Sequence, residues 1–449
     1  MEIIKPVILF HYSIPKEYLL HKKTIINLNN TGNFILKISI DINNVKQLLF
    51  YLSEAKTLKI KFIFNIIFFS SFIRLVNKNI INISNFLNNK NINLFYKLLY
   101  LTEYTRFFFL KKKAKKIIYF NKPKIVFLTV DRTPGIESSL IYYSKILNIN
   151  VVCLQSLIIN TAGLINNRKK SFHHLNLEKK LNINFDEDQL WIYKKNKYNF
   201  YFYPTYLALK KLKILPCNPW LWGSNSKYIF ADSIISKKNL EIYLPNKIII
   251  NTGNSTTDEL IAVIKNSNKI QKFEYELLIS LPHLSEHKYC DYEEHIDQLK
   301  KIFRELKKIN LKICLSLHPR SSYKIVQFVK NNIFNNFELL NDNPKFGNMQ
   351  IIKAIASCSF FLSWRSTSIH YSTLVGKKTF VMDWYDLPNY GNEIIEDKLI
   401  KINNINSLSS VINSYDIKNF KNEKNIYLNN TSSINLINKE LVSILEKRQ

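Results

Sequence analysis

The chain has 449 residues and a mass of 53.1 kDa, which at roughly 100–200 residues per domain predicts two or three domains. A hydrophobic content of 46%, with 13% aromatic residues, excludes a disordered or collagen-like chain, and five cysteines in this length exclude a disulfide miniprotein. The 64 basic and 34 acidic residues leave a net charge of +30, which attracts nucleic acid, anionic lipid and phosphorylated substrates alike; Asn and Ile are over-used alongside Lys, so composition accounts for part of it.

Pro6-Val7-Ile8-Leu9-Phe10 reads as a first buried strand. Residues 43–120 carry Leu, Ile and Phe at helical spacing, broken by Asn-rich turns. Lys124 to Val130 is the clearest strand of the first half, followed by the loop Asp131-Arg132-Thr133-Pro134-Gly135, a helix from Ile136 to Leu147 and the strand Asn150 to Gln155. Strand, loop, helix and strand in so short a span make a βαβ unit, hence a parallel sheet. The second half repeats the logic. Strands are predicted at 228–231, 247–250, 275–280, 313–317, 360–362 and 379–382. Helices are predicted to open at Asp258 and to cover 292–309, 322–332 and 434–447.

The run Lys111-Lys112-Lys113-Ala114-Lys115-Lys116 reads first as a solvated helix face. Phe107-Phe108-Phe109-Leu110 lies directly before it, and apolar and basic residues side by side suit an anionic membrane surface. Nucleic acid fits less well, because no zinc knuckle, RNP-type motif or basic zipper accompanies the charge. The cysteines Cys153, Cys217, Cys290, Cys314 and Cys358 form no CxxC pair, which predicts buried thiols in a reducing compartment and argues against zinc. The N-terminus lacks a long apolar run, and Phe62 to Ile73 is short of the roughly 20 residues of a membrane span. The expected location is the cytoplasm, peripheral on the inner membrane face.

Ligands of open parallel sheets bind outside the carboxyl ends of the strands. The residues just after each strand are therefore the candidates: Asp131, Gln155, His283, His318-Pro319-Arg320 and Arg365-Ser366-Thr367-Ser368. Arg offers a planar fork of donors to a phosphate or carboxylate, and His can donate to a phosphate or protonate a leaving group. Ser366, Thr367 and Ser368 fall at a strand-to-helix junction, where hydroxyls cap a helix and free N–H groups bind anions. GxxxxGK[ST], GxGxxG and a DxD motif after a strand are all missing, which argues against a P-loop, a dinucleotide fingerprint or an acidic metal site.

Over roughly residues 124–395 these features resemble glycosyltransferases of the GT-B architecture, in the branch that builds bacterial surface polysaccharides such as lipopolysaccharide and capsule. Asn251-Thr252-Gly253-Asn254 with Asp258 is similar to the "tG…D" turn of such enzymes. His318-Pro319 followed by Ser366-Thr367 is similar to the HP and S-S/T pair of bacterial sialyltransferases, elements that in that family bind the CMP part of the donor. The segment from Gly376-Lys377-Lys378 through Asp383-Trp384-Tyr385 and Tyr390 resembles CDP-glycerol glycerophosphotransferases. The sialyltransferase general base lies in an acidic D/E-D/E-G motif, and none of the eight glycines here follows two acids; Asp131 is the substitute candidate. The layout also resembles UDP-N-acetylglucosamine 2-epimerases, without their acidic residues after the Gln155 strand.

The resemblance implies an α/β chain of two Rossmann-like domains facing across a cleft. Residues 1–260 would form the acceptor domain, 261–430 the nucleotide-sugar donor domain and 431–449 a C-terminal helix. The implied activity is an inverting, metal-independent glycosyl transfer without a cofactor. It would move a CMP-linked acidic sugar, of the sialic or Kdo type, to a surface glycan or glycolipid acceptor. Asp131 and His318 take the catalytic roles, His283, Pro319, Arg320, Arg365, Ser366, Thr367 and Ser368 hold the donor, and Gln155 faces the acceptor. The alternatives are a CDP-glycerol-type polyol-phosphate transferase, a UDP-sugar transferase or a 2-epimerase-like enzyme. A non-catalytic binder of anionic membrane or nucleic acid is the rival of another class.

Overall fold

The computed structural model describes residues 5–13, 15–42, 44–66, 75–77, 79, 92–131, 135–155, 175–176, 192–195, 198–201, 205–214, 222–267, 275–286, 290–318, 321–334, 336–340, 350–384, 397–415 and 431–447. The chain forms two units: residues 1–232, 240–255 and 431–449 make unit 1, and residues 233–239 and 256–430 make unit 2.

Unit 1 runs β1 (Val7–Tyr12), α1 (Pro15–Asn30), β2 (Ile35–Ile42), α2 (Val45–Leu58), β3 (Lys61–Ile66), α3 (Ile92–Asn121), β4 (Ile125–Leu128), α4 (Ile136–Ile146) and β5 (Asn150–Leu154). A small antiparallel sheet follows, of β6 (Leu175–Asn176), β7 (Ile192–Lys195) and β8 (Tyr198–Tyr201), then α5 (Thr205–Lys211), β9 (Tyr228–Ala231), α6 (Ile234–Tyr243), β10 (Ile248–Asn251) and α7 (Ser255–Ser267). The chain leaves unit 1 after Asp232, returns to it within α6 at Leu240 and leaves again after Ser255, so α7 beyond its first residue belongs to unit 2. Seven parallel strands stand in the order β10-β9-β5-β4-β1-β2-β3. The winding therefore reverses between β1 and β4, the switch point of a doubly wound sheet. Its inner strands are buried on both faces: in β1, Ile8, Phe10 and Tyr12 join one core while Leu9 joins the other. Each such side chain contributes roughly 1.5–3 kcal/mol on burial.

Unit 2 runs β11 (Tyr275–Ser280), α8 (Tyr292–Leu306), β12 (Ile313–Ser316), α9 (Tyr323–Asn331), β13 (Phe337–Leu339), α10 (Gln350–Ala356), β14 (Cys358–Trp364), α11 (Thr367–Leu374), β15 (Lys378–Met382), β16 (Leu399–Ile402) and α12 (Leu408–Asn413). Its six parallel strands stand in the order β13-β12-β11-β14-β15-β16, with the switch point between β11 and β14. α8 shows how sequence makes such a helix. The Asp291 carboxylate accepts the Glu294 N–H at 2.8 Å, acids fill the first turn, and His295, Leu299, Ile302 and Phe303 are buried along one face. The last helix, α13 (Ser433–Glu446), which the sequence sets apart as 431–449, belongs to unit 1: Ile437, Leu441 and Ile444 enter the core against β1 and β2.

The sequence reading of residues 43–120 as helical is corrected by β3, and β2 directly before it has no counterpart in that reading. The Phe62-Ile63-Phe64 run interrupts the alternation of Lys61–Ile66, so periodicity alone does not separate this edge strand from a helix. The basic run does lie on a helix, α3. Of the aromatics before it, Phe107 is buried beneath Arg106, with the guanidinium 4.2 Å from the ring, while Phe109 is 51% exposed. Among the described residues no helix is long and apolar enough to cross a membrane. Cys153, Cys314 and Cys358 are buried and Cys290 is half-buried; Cys217 lies outside the described residues.

Candidate functional site

Parallel register fixes what meets at the carboxyl edge of unit 2. Ser280 pairs with Ser316 on one side and Ser363 on the other, so three strand ends present a row of small hydroxyl residues at one level. The loops above that row hold His283 after β11, His318 after β12 and Arg365 to Ser368 after β14. The His283 and His318 rings stack with centroids 3.6 Å apart and planes 9° apart, and Trp364 meets the His283 ring edge-on at 4.8 Å. His318 is half-buried and His283 buried.

The hydroxyls form a chain at the mouth of α11. Ser366 Oγ lies 2.9 Å from Ser363 Oγ and 2.6 Å from Ser368 Oγ. Ser366 is the N-cap residue by its backbone, but its hydroxyl does not accept from the helix. Capping, the ordinary reason for Ser at such a junction, is thus not its role here. Arg365 is 5% exposed and forks onto Asp383, with Nε 2.8 Å from Oδ1 and Nη2 3.2 Å from Oδ2. Its charge is met by Asp383, so it braces the ends of β14 and β15 rather than adding a bare cation to the site. Pro319 and Arg320 lie outside the described residues, as does the side chain of Thr367.

A second layer holds these loops. The fully buried His295 ring sits with Nε2 3.1 Å from the Pro282 carbonyl oxygen and Nδ1 2.9 Å from Ser285 Oγ. Glu286 accepts the Ser322 N–H at 2.8 Å, tying the loop after β11 to the loop after β12. Hydrogen bonds from Ser322 and Ser285 and the nearby His295 hold the Glu286 carboxyl below its usual range, against the opposing effect of partial burial.

In unit 1 the predicted residues have other work. Asp131 is wholly buried, and it accepts hydrogen bonds from the Gly223 N–H at 2.8 Å, the Asn225 N–H at 3.0 Å and the Ser226 hydroxyl at 2.9 Å. These partners precede β9, so the chain after β4 has folded back toward the amino ends of the strands. Asp131 is not displayed at the carboxyl edge where a general base is needed. Burial pushes its carboxyl up, while the three hydrogen bonds and Lys247 pull it down. Gln155 is also buried: its side chain accepts the Asp232 N–H at 3.2 Å and its carbonyl accepts from Asn254 at 3.0 Å, closing the ends of β5 and β9.

The sequence did not single out the pair at the unit 1 switch point. His11, near the end of β1, has Nε2 3.9 Å from Oε1 of Glu137 in the first turn of α4. Its Nδ1 lies 3.1 Å from Ser39 Oγ, which accepts from Asn65 Nδ2 at 2.7 Å. Burial first, and the Lys113 charge second, lower the His11 pKa to about 3, so the ring is neutral. Glu137 comes two residues after Gly135 and directly follows a strand-end loop, a position the rule for parallel sheets marks out.

The sequence matches no protein-family model and no curated protein. Among solved structures, the chain is similar to UDP-GlcNAc 2-epimerase from Methanocaldococcus jannaschii at 15% identity and a TM-score of 0.50, over 98% of this chain and 100% of that one. It is likewise similar to a putative UDP-N-acetylglucosamine 2-epimerase from Listeria monocytogenes, at 10% identity and a TM-score of 0.52, over 98% of each chain. A glycosyltransferase from Rickettsia africae aligns at 14% identity and a TM-score of 0.46, over 99% of this chain and 98% of that one. At these identities the likeness is one of fold: an α/β chain with two Rossmann-like sheets, of the GT-B kind.

Proposed function

We propose that this protein is a nucleotide-sugar-dependent glycosyltransferase whose donor binds at the switch point of the unit 2 sheet. The observation that carries the reading is the convergence of His283, His318 and the Ser363–Ser366–Ser368 hydroxyls above the serine row of β11, β12 and β14. Hydroxyl and imidazole donors beside a helix N-terminus suit the negative charge that gathers on a nucleotide phosphate as the sugar departs. Pro319 and Arg320 follow His318 directly and join the donor set in this proposal. A CMP-linked acidic sugar is the proposed donor, on the HP and S-S/T likeness, and a surface glycan or glycolipid the proposed acceptor. Inverting transfer needs a base on the acceptor hydroxyl. Glu137, partnered by His11, is the proposed base in place of Asp131, because the Asp131 carboxylate is taken up by the Gly223, Asn225 and Ser226 donors.

A thermal-shift panel of CMP, CDP, UDP, GDP and ADP tests the donor, since a ligand that binds only the folded chain raises its melting temperature by mass action. A CMP shift that vanishes in His318→Ala is expected; silence toward all five nucleotides sinks the reading. A second reading, a UDP-sugar 2-epimerase, is favoured by the neighbours of TM-score 0.50 and 0.52 that carry that name. It predicts a response to UDP and acceptor-free conversion of UDP-GlcNAc to its epimer, whereas a transferase needs an acceptor.

A further inference from the structure

Away from both switch points, unit 1 contains a cavity of about 470 Å³, within the roughly 300–1,000 Å³ of small-molecule sites. It runs along one face of α4, past Tyr142 and Lys145, to the amino-terminal starts of β5, β9 and β10. Its composition is divided. Lys145, Lys227 and Lys247 line it together with Ser224, Asn225 and Ser226, and no acidic side chain is among the lining residues. Tyr142, Ile149 and Ile214 add apolar surface to the same lining.

The nearest buried acid is Asp131, whose two carboxylate oxygens already accept three hydrogen bonds from residues 223–226. That network shapes the polar lining, and Gly223 completes it at φ 83°. Burial disfavours the Lys247 ammonium, the Asp131 carboxylate supports it, and the Lys145 charge opposes it. An anion between Lys145 and Lys247 offsets their repulsion and adds to the single carboxylate charge of Asp131. Beside the cavity the same edge exposes Ile146 at the end of α4 and Ile242 at the end of α6, 55% and 63% exposed.

We infer that this cavity binds a phosphate group attached to an apolar body. Lys145, Lys227 and Lys247 take the phosphate, and Tyr142, Ile149 and Ile214 take the apolar part. Such a ligand is either a phospholipid of a membrane surface or a soluble alkyl or aryl phosphate. The site lies wholly in unit 1, and the inference does not depend on the donor site proposed for unit 2.

The probes are n-octyl phosphate below its micelle concentration, inorganic phosphate, and phosphatidylcholine vesicles with or without phosphatidic acid. The full chain is compared with Lys145→Gln/Lys247→Gln and with Lys300→Gln/Lys301→Gln, which removes equal charge from unit 2. Saturable octyl phosphate binding is expected, at least tenfold tighter than inorganic phosphate. It should weaken at least tenfold in the first variant and hold in the second, with the melting transitions of both variants retained. Capture by phosphatidic acid vesicles that follows the same pattern identifies a lipid source, and octyl phosphate binding without capture a soluble one. The inference is overturned if octyl phosphate fails to bind, binds no better than inorganic phosphate, or binds both variants alike.

Discussion

Replacing Asp131 with Ala separates a structural acid from a catalytic one. The substitution removes the acceptor for the Gly223 and Asn225 N–H groups and the Ser226 hydroxyl, at 2.8, 3.0 and 2.9 Å. A buried donor left without an acceptor costs about 1–3 kcal/mol. Asn225 is only half-buried and recovers part of its share from water. The sum is therefore roughly 3–6 kcal/mol, a large part of the 5–15 kcal/mol that separates a typical fold from its unfolded chain. Asp131→Asn keeps one acceptor oxygen and should lose less. The assay is urea denaturation together with amide exchange over residues 222–227. A lower midpoint and fast exchange at Gly223 and Asn225 are expected. If Asp131→Ala keeps its midpoint and amide protection yet loses turnover, the carboxylate is the base and the assignment to Glu137 fails.

Acid should destabilise unit 1 through His11 and His21. Burial lowers their pKa values to about 3 and about 4, so the unfolded chain, whose histidines titrate near 6.5, binds protons more readily. Stability is full above about pH 7 and falls between pH 6.5 and 4, by roughly 4 kcal/mol at pH 5 for the two together; denaturation midpoints against pH that stay flat down to pH 4 would contradict this. Glu286→Gln should weaken nucleotide binding about tenfold, since it loosens the Ser322 tie between the two histidine loops at a cost of about 1.4 kcal/mol; titration calorimetry with an unchanged Kd would refute that role. Gly223→Ala places a Cβ 2.8 Å from Ile229 Cδ1 at a φ of 83°, a strain expected to cost about 1–3 kcal/mol and to lower the melting temperature. An unchanged melting point would show that the turn accommodates a side chain.

The sequence by itself carried the parallel α/β class, because short apolar β-branched runs alternating with helical periods have few other solutions. It also carried the positions of His283, His318 and Ser366, because chemistry in parallel sheets collects just after strands and the strands of the second half end in recognisable breaks. β2 was legible in the sequence, since Leu36, Ile38, Ile40 and Ile42 alternate with Lys37, Ser39 and Asp41, whereas the Phe62-Ile63-Phe64 run masks the alternation of β3. Strand order decided which loops become neighbours: the stacked histidines and the row of Ser316, Ser280 and Ser363 exist only through register between distant segments. The fates of Asp131 and Arg365 were likewise tertiary. Each sits after a strand as a reactive group would, yet the carboxylate is taken by donors 92 to 95 residues away and the guanidinium by Asp383. A side chain's chemistry is local, but whether its hydrogen bonds are already spent depends on what the fold brings beside it.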